Sequence, residues 1–167
     1  MHRPSRYEPH NITLDKFCEL FNSEKTFPNI TIYAYSEETY DNDGVITDSI
    51  TGKTIGFDWE YRDNPNHFSN CNLRYPTLGQ FERKLQKDSI QISIQCDQTQ
   101  TGIAVGWHED WLKEKLVQLK LRTDKEDEDG FVRYTSAFKI YPYNQMEEFK
   151  RMLSYALQND CLNHKSF

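Results

Sequence analysis

No apolar run in this sequence approaches the ~18 residues needed to cross a membrane as a helix. The opening Met1-His2-Arg3-Pro4-Ser5-Arg6 also lacks the apolar segment of a secretory signal. A chain with neither is expected in the cytoplasm, away from membranes. Cysteine is sparse: Cys18, Cys71, Cys96 and Cys161 stand far apart with no C-x-x-C pair. That spacing indicates neither a zinc site nor a disulfide framework, and it fits a reducing compartment. The phosphate loop (G-x-x-x-x-G-K followed by Ser or Thr), the G-x-G-x-x-G turn, the G-x-S-x-G elbow and the H-E-x-x-H zinc helix are all missing. Nucleotide-binding, hydrolase-elbow and zincin readings therefore have no footing.

Positive charge is short as well. Lys and Arg number 20 against 26 Asp and Glu, for a net charge of -6 and a pI near 5.4. Duplex-binding proteins draw most of their affinity from basic surfaces. An acidic chain that binds nucleic acid must gather its cations on one face or rely on bound metal. What the chain has in quantity is aromatic side chain, with 10 Tyr, 10 Phe and 3 Trp, each able to bury a large area. At 167 residues with no repeat and no linker, residues 1–167 are predicted to form a single domain, with 1–10 a loose charged tail.

The most informative stretch is Asp41 to Arg62, which reads as a β-hairpin. Thr51-Gly52-Lys53 supplies the turn, because glycine tolerates the positive φ that tight loops need. On the second arm Ile55, Phe57, Trp59 and Tyr61 alternate with Gly56, Asp58, Glu60 and Arg62. One face is therefore apolar and the other carries two acids and a base. On the first arm Asp43 and Asp48 flank Val45 and Ile46. Carboxylates converging in this way suit a hard divalent cation.

Around the hairpin, Leu14, Phe17, Cys18 and Phe21 fall at helical spacing within 12–21. Asn29 to Tyr35 alternates as a strand. The Asn-, Pro- and Asp-rich 63–76 reads as a loop, and Thr77 caps a helix carrying Leu78, Phe81 and Leu85. Strands follow over 89–96, 101–107 and 117–122. His108 to Leu112 starts a short helix. The acidic Asp124–Asp129 turns the chain, 131–140 forms the return arm of a hairpin, and 144–158 is a helix striped by Met146, Phe149, Met152, Leu153, Ala156 and Leu157. The expected class is α/β (α+β), a mixed central β-sheet flanked by helices.

The order α-β-β-β-α-β over residues 12–96 resembles the common core of the PD-(D/E)XK, or restriction-endonuclease-like, nucleases. In that family an acid on the first arm of the central hairpin and a (D/E)-x-K on the second hold Mg²⁺ and position the attacking water. The matching stretch here is Asp43-Gly44-Val45-Ile46, then Gly56-Phe57-Asp58-Trp59-Glu60-Tyr61-Arg62. Glu19 is the nearest candidate for the glutamate that often joins from the first helix. The resemblance implies a Mg²⁺-dependent nuclease of phage or mobile-element type acting on DNA, with additional strands and a helix C-terminal to the core. Asp43, Asp58 and Glu60 would be its catalytic and metal-binding acids, Glu19 a further metal ligand and Arg62 their electrostatic partner.

Arg62 stands where the family has lysine. A guanidinium stays protonated, so it stabilises developing negative charge rather than transferring a proton. Gln95, on the neighbouring strand, is a second group suited to contacting phosphate or orienting water. The alternative is a non-enzymatic acidic interaction protein with a protein partner. It would be an inactive version of the same fold, or an inhibitor presenting carboxylates in place of DNA phosphates. Asp58, Glu60 and Arg62 would then form cross-strand ion pairs on a solvated face, worth ~0.2–1 kcal/mol each. Weaker candidates are His108-Glu109-Asp110 at a strand end, His67 with Arg74 and Tyr75 in the long loop, and the basic Arg83, Lys84 and Lys87.

Overall fold

A computed structural model describes residues 8–36, 42–62, 73–75, 87–97, 102–109, 119–122, 131–134 and 138–160. Helix α1 spans Glu8–Ser23, longer than the predicted 12–21. Strands β1 (Ile30–Ala34), β2 (Gly44–Asp48) and β3 (Thr54–Arg62) form an antiparallel meander. Next to β3 lies β5 (Ile92–Asp97), then β6 (Gly102–Trp107) and β9 (Phe138–Pro142), in a six-stranded sheet ordered β1-β2-β3-β5-β6-β9. The β3–β5 pair is parallel and all its neighbours are antiparallel. A 3₁₀ turn (Tyr143–Gln145) leads into helix α2 (Met146–Asn159). The chain is thus a mixed α+β protein, as its patterning predicts.

Both described helices cover one face of the sheet, here the near face. Leu14, Phe17 and Phe21 of α1 meet Ile32, Ile46, Ile55, Phe57 and Trp59, and α2 adds Phe149 and Leu153. Each large apolar side chain buried there contributes roughly 1.5–3 kcal/mol. Phe17 stacks on Trp59 with ring centroids 5.2 Å apart, and Phe149 meets Phe17, Phe21 and Tyr141. The alternation read from β3 and β5 therefore holds, with isoleucines and aromatics inward.

Two readings are revised. Within 63–76, Leu73–Tyr75 forms strand β4, which joins β8 (Phe131–Tyr134) and β7 (Leu119–Arg122) in a separate three-stranded sheet ordered β4-β8-β7. The predicted return arm 131–140 is two strands: β8 pairs with β7, whereas β9 enters the main sheet beside β6. Alternation specifies a face, not a neighbour, so one apolar-polar run served two sheets. Pairing of Ile46 with Ile55 and of Thr47 with Thr54 places the turn over 49–53, which contains the predicted Thr51-Gly52-Lys53, and only Gly52 adopts positive φ (+74) among the described glycines. The predicted helix at 77–85 and the acidic turn at 124–129 lie outside the described residues.

Strand β1 is an edge, and edges invite pairing with other chains. Here Asn22 of α1 occupies it: its Oδ1 accepts the Ile32 N–H at 2.9 Å and its Nδ2 donates to Ile32 O at 3.0 Å. Asn22→Ala is expected to lower stability by about 1–2 kcal/mol through these unmet backbone groups. It should also make light scattering rise with concentration. A variant as stable and as monodisperse as the parent would show that the edge is protected otherwise.

Candidate functional site

The first-arm acid, Asp43, sits just before β2. Its N–H donates to Phe57 O at 2.9 Å, although the register partner of Phe57 is Gly44, so two residues of this arm face one of the next. Such a bulge re-aims the side chain it carries. Asp43 Oδ2 consequently accepts the backbone N–H of Trp59 at 2.7 Å. Trp59 is the residue between Asp58 and Glu60. The first-arm acid therefore meets the centre of the acid-x-acid on the second arm.

Asp58 and Glu60 point to the far face, opposite the helices. Asp58 is only 8 % exposed, which does not fit a fully solvated strand face, and Glu60 is half-buried. The parallel strand β5 sets Ser93 beside Asp58 and Gln95 beside Glu60, both fully buried. From the end of β6, His108 reaches back so that its Nε2 lies 2.7 Å from Ser93 Oγ. The far face of β3, β5 and β6 is thus a buried polar patch. The sequence points to Gln95 as a group suited to contacting phosphate or orienting water, whereas Ser93 is only a polar interruption of an isoleucine strand. Its signal was shared parity with Gln95.

Other predicted residues are placed differently. Glu19 is exposed on α1, which packs on the near face against Trp59, so it lies across the sheet from Asp58. Arg62 ends β3 in register with Asp97, and its side chain lies outside the described residues. The same holds for the side chains of Arg74 and Tyr75 in β4, while His67, Arg83, Lys84 and Asp110 lie outside altogether. Lys87 is half-buried just before β5. Asp48, the other first-arm acid, is at the opposite end of β2 from Asp43 and organises the 49–53 turn. Cys18 is no reactive thiol: burial, with Asp15 and Glu19 nearby, pushes its pKa up to about 12.

The donors of Asp43, Asp58 and Glu60 are all hard carboxylate oxygens, the chemistry Mg²⁺ prefers. Among the described residues no three His, Cys, Asp or Glu side chains form a metal-holding group. Mg²⁺ does not require one, because it keeps several waters and binds through one or two carboxylates plus substrate phosphate. Among the described residues no helix is long and apolar enough to cross a membrane. No protein family, characterised protein or solved structure matches the chain.

Proposed function

We propose that this chain is a metal-dependent nuclease of the restriction-endonuclease-like kind, hydrolysing phosphodiester bonds of DNA. The observation that carries the reading is the 2.7 Å bond from Trp59 N–H to Asp43 Oδ2, which seats the first-arm acid against Asp58-x-Glu60. Support also comes from the parallel β5, which lines Gln95 beside Glu60.

On this reading a pair drawn from Asp43, Asp58 and Glu60 would hold Mg²⁺. When bound, the ion polarises the scissile phosphate and lowers the pKa of a bound water. The chain's own part is positional. Asp43 is fixed by a backbone N–H, Asp58 is held in a buried row that excludes bulk water, and Gln95 is the neutral group beside Glu60 suited to orienting water. Arg62 would remain a cation for the developing phosphorane charge.

The net charge of -6 favours a second reading, an acidic interaction protein on the same scaffold. Melting curves and a nicking assay separate the two. Mg²⁺ or Mn²⁺ at millimolar concentration is expected to raise the melting temperature of the parent but not of Asp58→Asn with Glu60→Gln. The parent alone should nick supercoiled DNA, and only with metal. No thermal shift and no nicking would leave the interaction protein as the reading.

A further inference from the structure

The bulge that aims Asp43 is tied down from outside its own hairpin. Backbone bonds hold it locally: Asp43 N–H donates to Phe57 O at 2.9 Å, and Asp43 O accepts Tyr35 N–H at 3.0 Å. The preceding residue, the half-buried Asn42, adds a side-chain tie, its Nδ2 donating to Ser89 O at 2.8 Å. Ser89 lies 47 residues further on, in the segment that leads into β5.

That segment is seated on β3. Gln91 N–H donates to Gly56 O at 2.9 Å, Gly56 N–H donates to Gln91 Oε1 at 2.6 Å, and Gln91 Nε2 donates to Asp88 O. Gly56 makes the seat possible, because a Cβ there would collide with Ser89 O and stand 2.9 Å from Asn42 Nδ2. Three stretches distant in sequence thus cross at Gly56, and one of them carries the first-arm acid. Asparagine suits position 42 where its neighbours Asp41 and Asp43 would not. A carbonyl needs a donor, and an ionised carboxylate has none.

We propose that Asn42 is a positioning residue for the candidate site: by tying the bulge to Ser89 O, it fixes the direction in which Asp43 presents its carboxylate to β3. What this does for metal binding rests on the nuclease reading. The aiming of Asp43 does not.

Amide hydrogen exchange of the full chain reads that aim. Backbone groups of β3 alternate in direction: Phe57 O meets Asp43 on the β2 side, and Gly56 O meets Gln91 on the β5 side. Trp59 N–H follows Phe57 to the β2 side, where Asp43 Oδ2 accepts it, whereas the Glu60 amide faces β5. Asn42→Ala is expected to quicken Trp59 exchange at least about tenfold and Glu60 exchange less than about twofold. Asn42→Asp, which keeps the size and loses the donor, should do the same. In the nicking assay, Asn42→Ala is expected to raise the half-saturating Mg²⁺ concentration about tenfold, with the rate at saturating Mg²⁺ within about threefold of the parent.

Trp59 and Glu60 amides that quicken together would mark a general loss of stability. Unchanged exchange would mean that the backbone bonds hold Asp43 unaided. Either result overturns the proposal, and so does a parent-like Mg²⁺ requirement in an Asn42→Ala chain that nicks. A parent that neither nicks nor responds to metal removes the nuclease, and the exchange result then decides alone whether Asn42 aims Asp43.

Discussion

Lys150→Met is expected to lower the stability of this protein by about 3 kcal/mol, a large share of what a domain of this size has. Lys150 lies on α2, fully buried, with its Nζ donating to Phe21 O and Glu24 O at 3.1 Å each. Those carbonyls belong to the C-terminal end of α1, where the last backbone acceptors have no partner within the helix and a cation complements the dipole. Glu24 Oε2 lies 3.5 Å away, and the ammonium sits 5.0 Å from the centre of the Phe21 ring. Burial pulls the Lys150 pKa down from the ordinary lysine value, while Glu24 pulls it back up. Methionine keeps the stem but donates nothing, so both carbonyls lose the ammonium, and Phe21 O keeps the Glu24 N–H at 3.3 Å while Glu24 O loses its donor.

Chemical denaturation of Lys150→Met, Glu24→Gln and the double variant measures this. Lys150→Met should be the costliest single change, because Glu24 keeps the N–H groups of Thr26 (2.6 Å) and Phe27 (3.3 Å) when the lysine is gone. A loss below about 1 kcal/mol would mean that water meets those carbonyls as well as the lysine does.

Asp48→Ala is expected to cost about 2–3 kcal/mol, and its effect should fade in acid. The Asp48 carboxylate is fully buried and accepts from Asn29 Nδ2 (2.9 Å), Ile50 N (3.0 Å) and Thr51 Oγ1 (3.0 Å). Burial pushes its pKa up, but the hydrogen bonds from Asn29, Ile50 and Thr51 outweigh burial and hold it below the usual aspartate range. A carboxylate whose pKa is lowered by folding contributes stability that is fully present above its unfolded pKa of about 3.9. That contribution is lost as pH falls through the lower folded value. The melting temperatures of parent and Asp48→Ala should therefore differ most at neutral pH and converge below about pH 4. A gap that stays constant into acid would assign the loss to the side chain's shape rather than to its charge.

Much of this scaffold could be read from residues alone. Leu14, Phe17 and Phe21 announced a helix face, and Ile90, Ile92 and Ile94 a buried strand. The meander and its turn followed from Gly52 and the alternation of Ile55, Phe57 and Trp59. That the Asp43 arm lies beside the Asp58-x-Glu60 arm was legible as far as the hairpin was.

Neighbours and directions were less legible. Period-two patterning cannot tell that β5 runs parallel to β3 and so brings Ser93 to Asp58. It also cannot tell that Asp43 turns its carboxylate onto a backbone N–H, which depends on the bulge. Asp48 looked like Asp43 in the sequence, yet it is buried as a turn organiser, because the amides that hold it become neighbours only when the loop closes. Lys150 fell within the apolar stripe of α2, at the position after Phe149. A cation at such a place has a fixed partner, but the end of another helix is invisible to local pattern. Glu19 was assigned by analogy of position, and the face on which α1 packs puts it on the other side.

The parallel pairing of β3 with β5 also orders events during folding. The meander from β1 to β3 closes through contacts between near neighbours, whereas Asp58 gains Ser93 only after 92–97 has travelled back across the intervening chain. Closing that longer loop is the slower and entropically dearer step. A nascent chain would thus display its acids well before the strand that buries them has arrived.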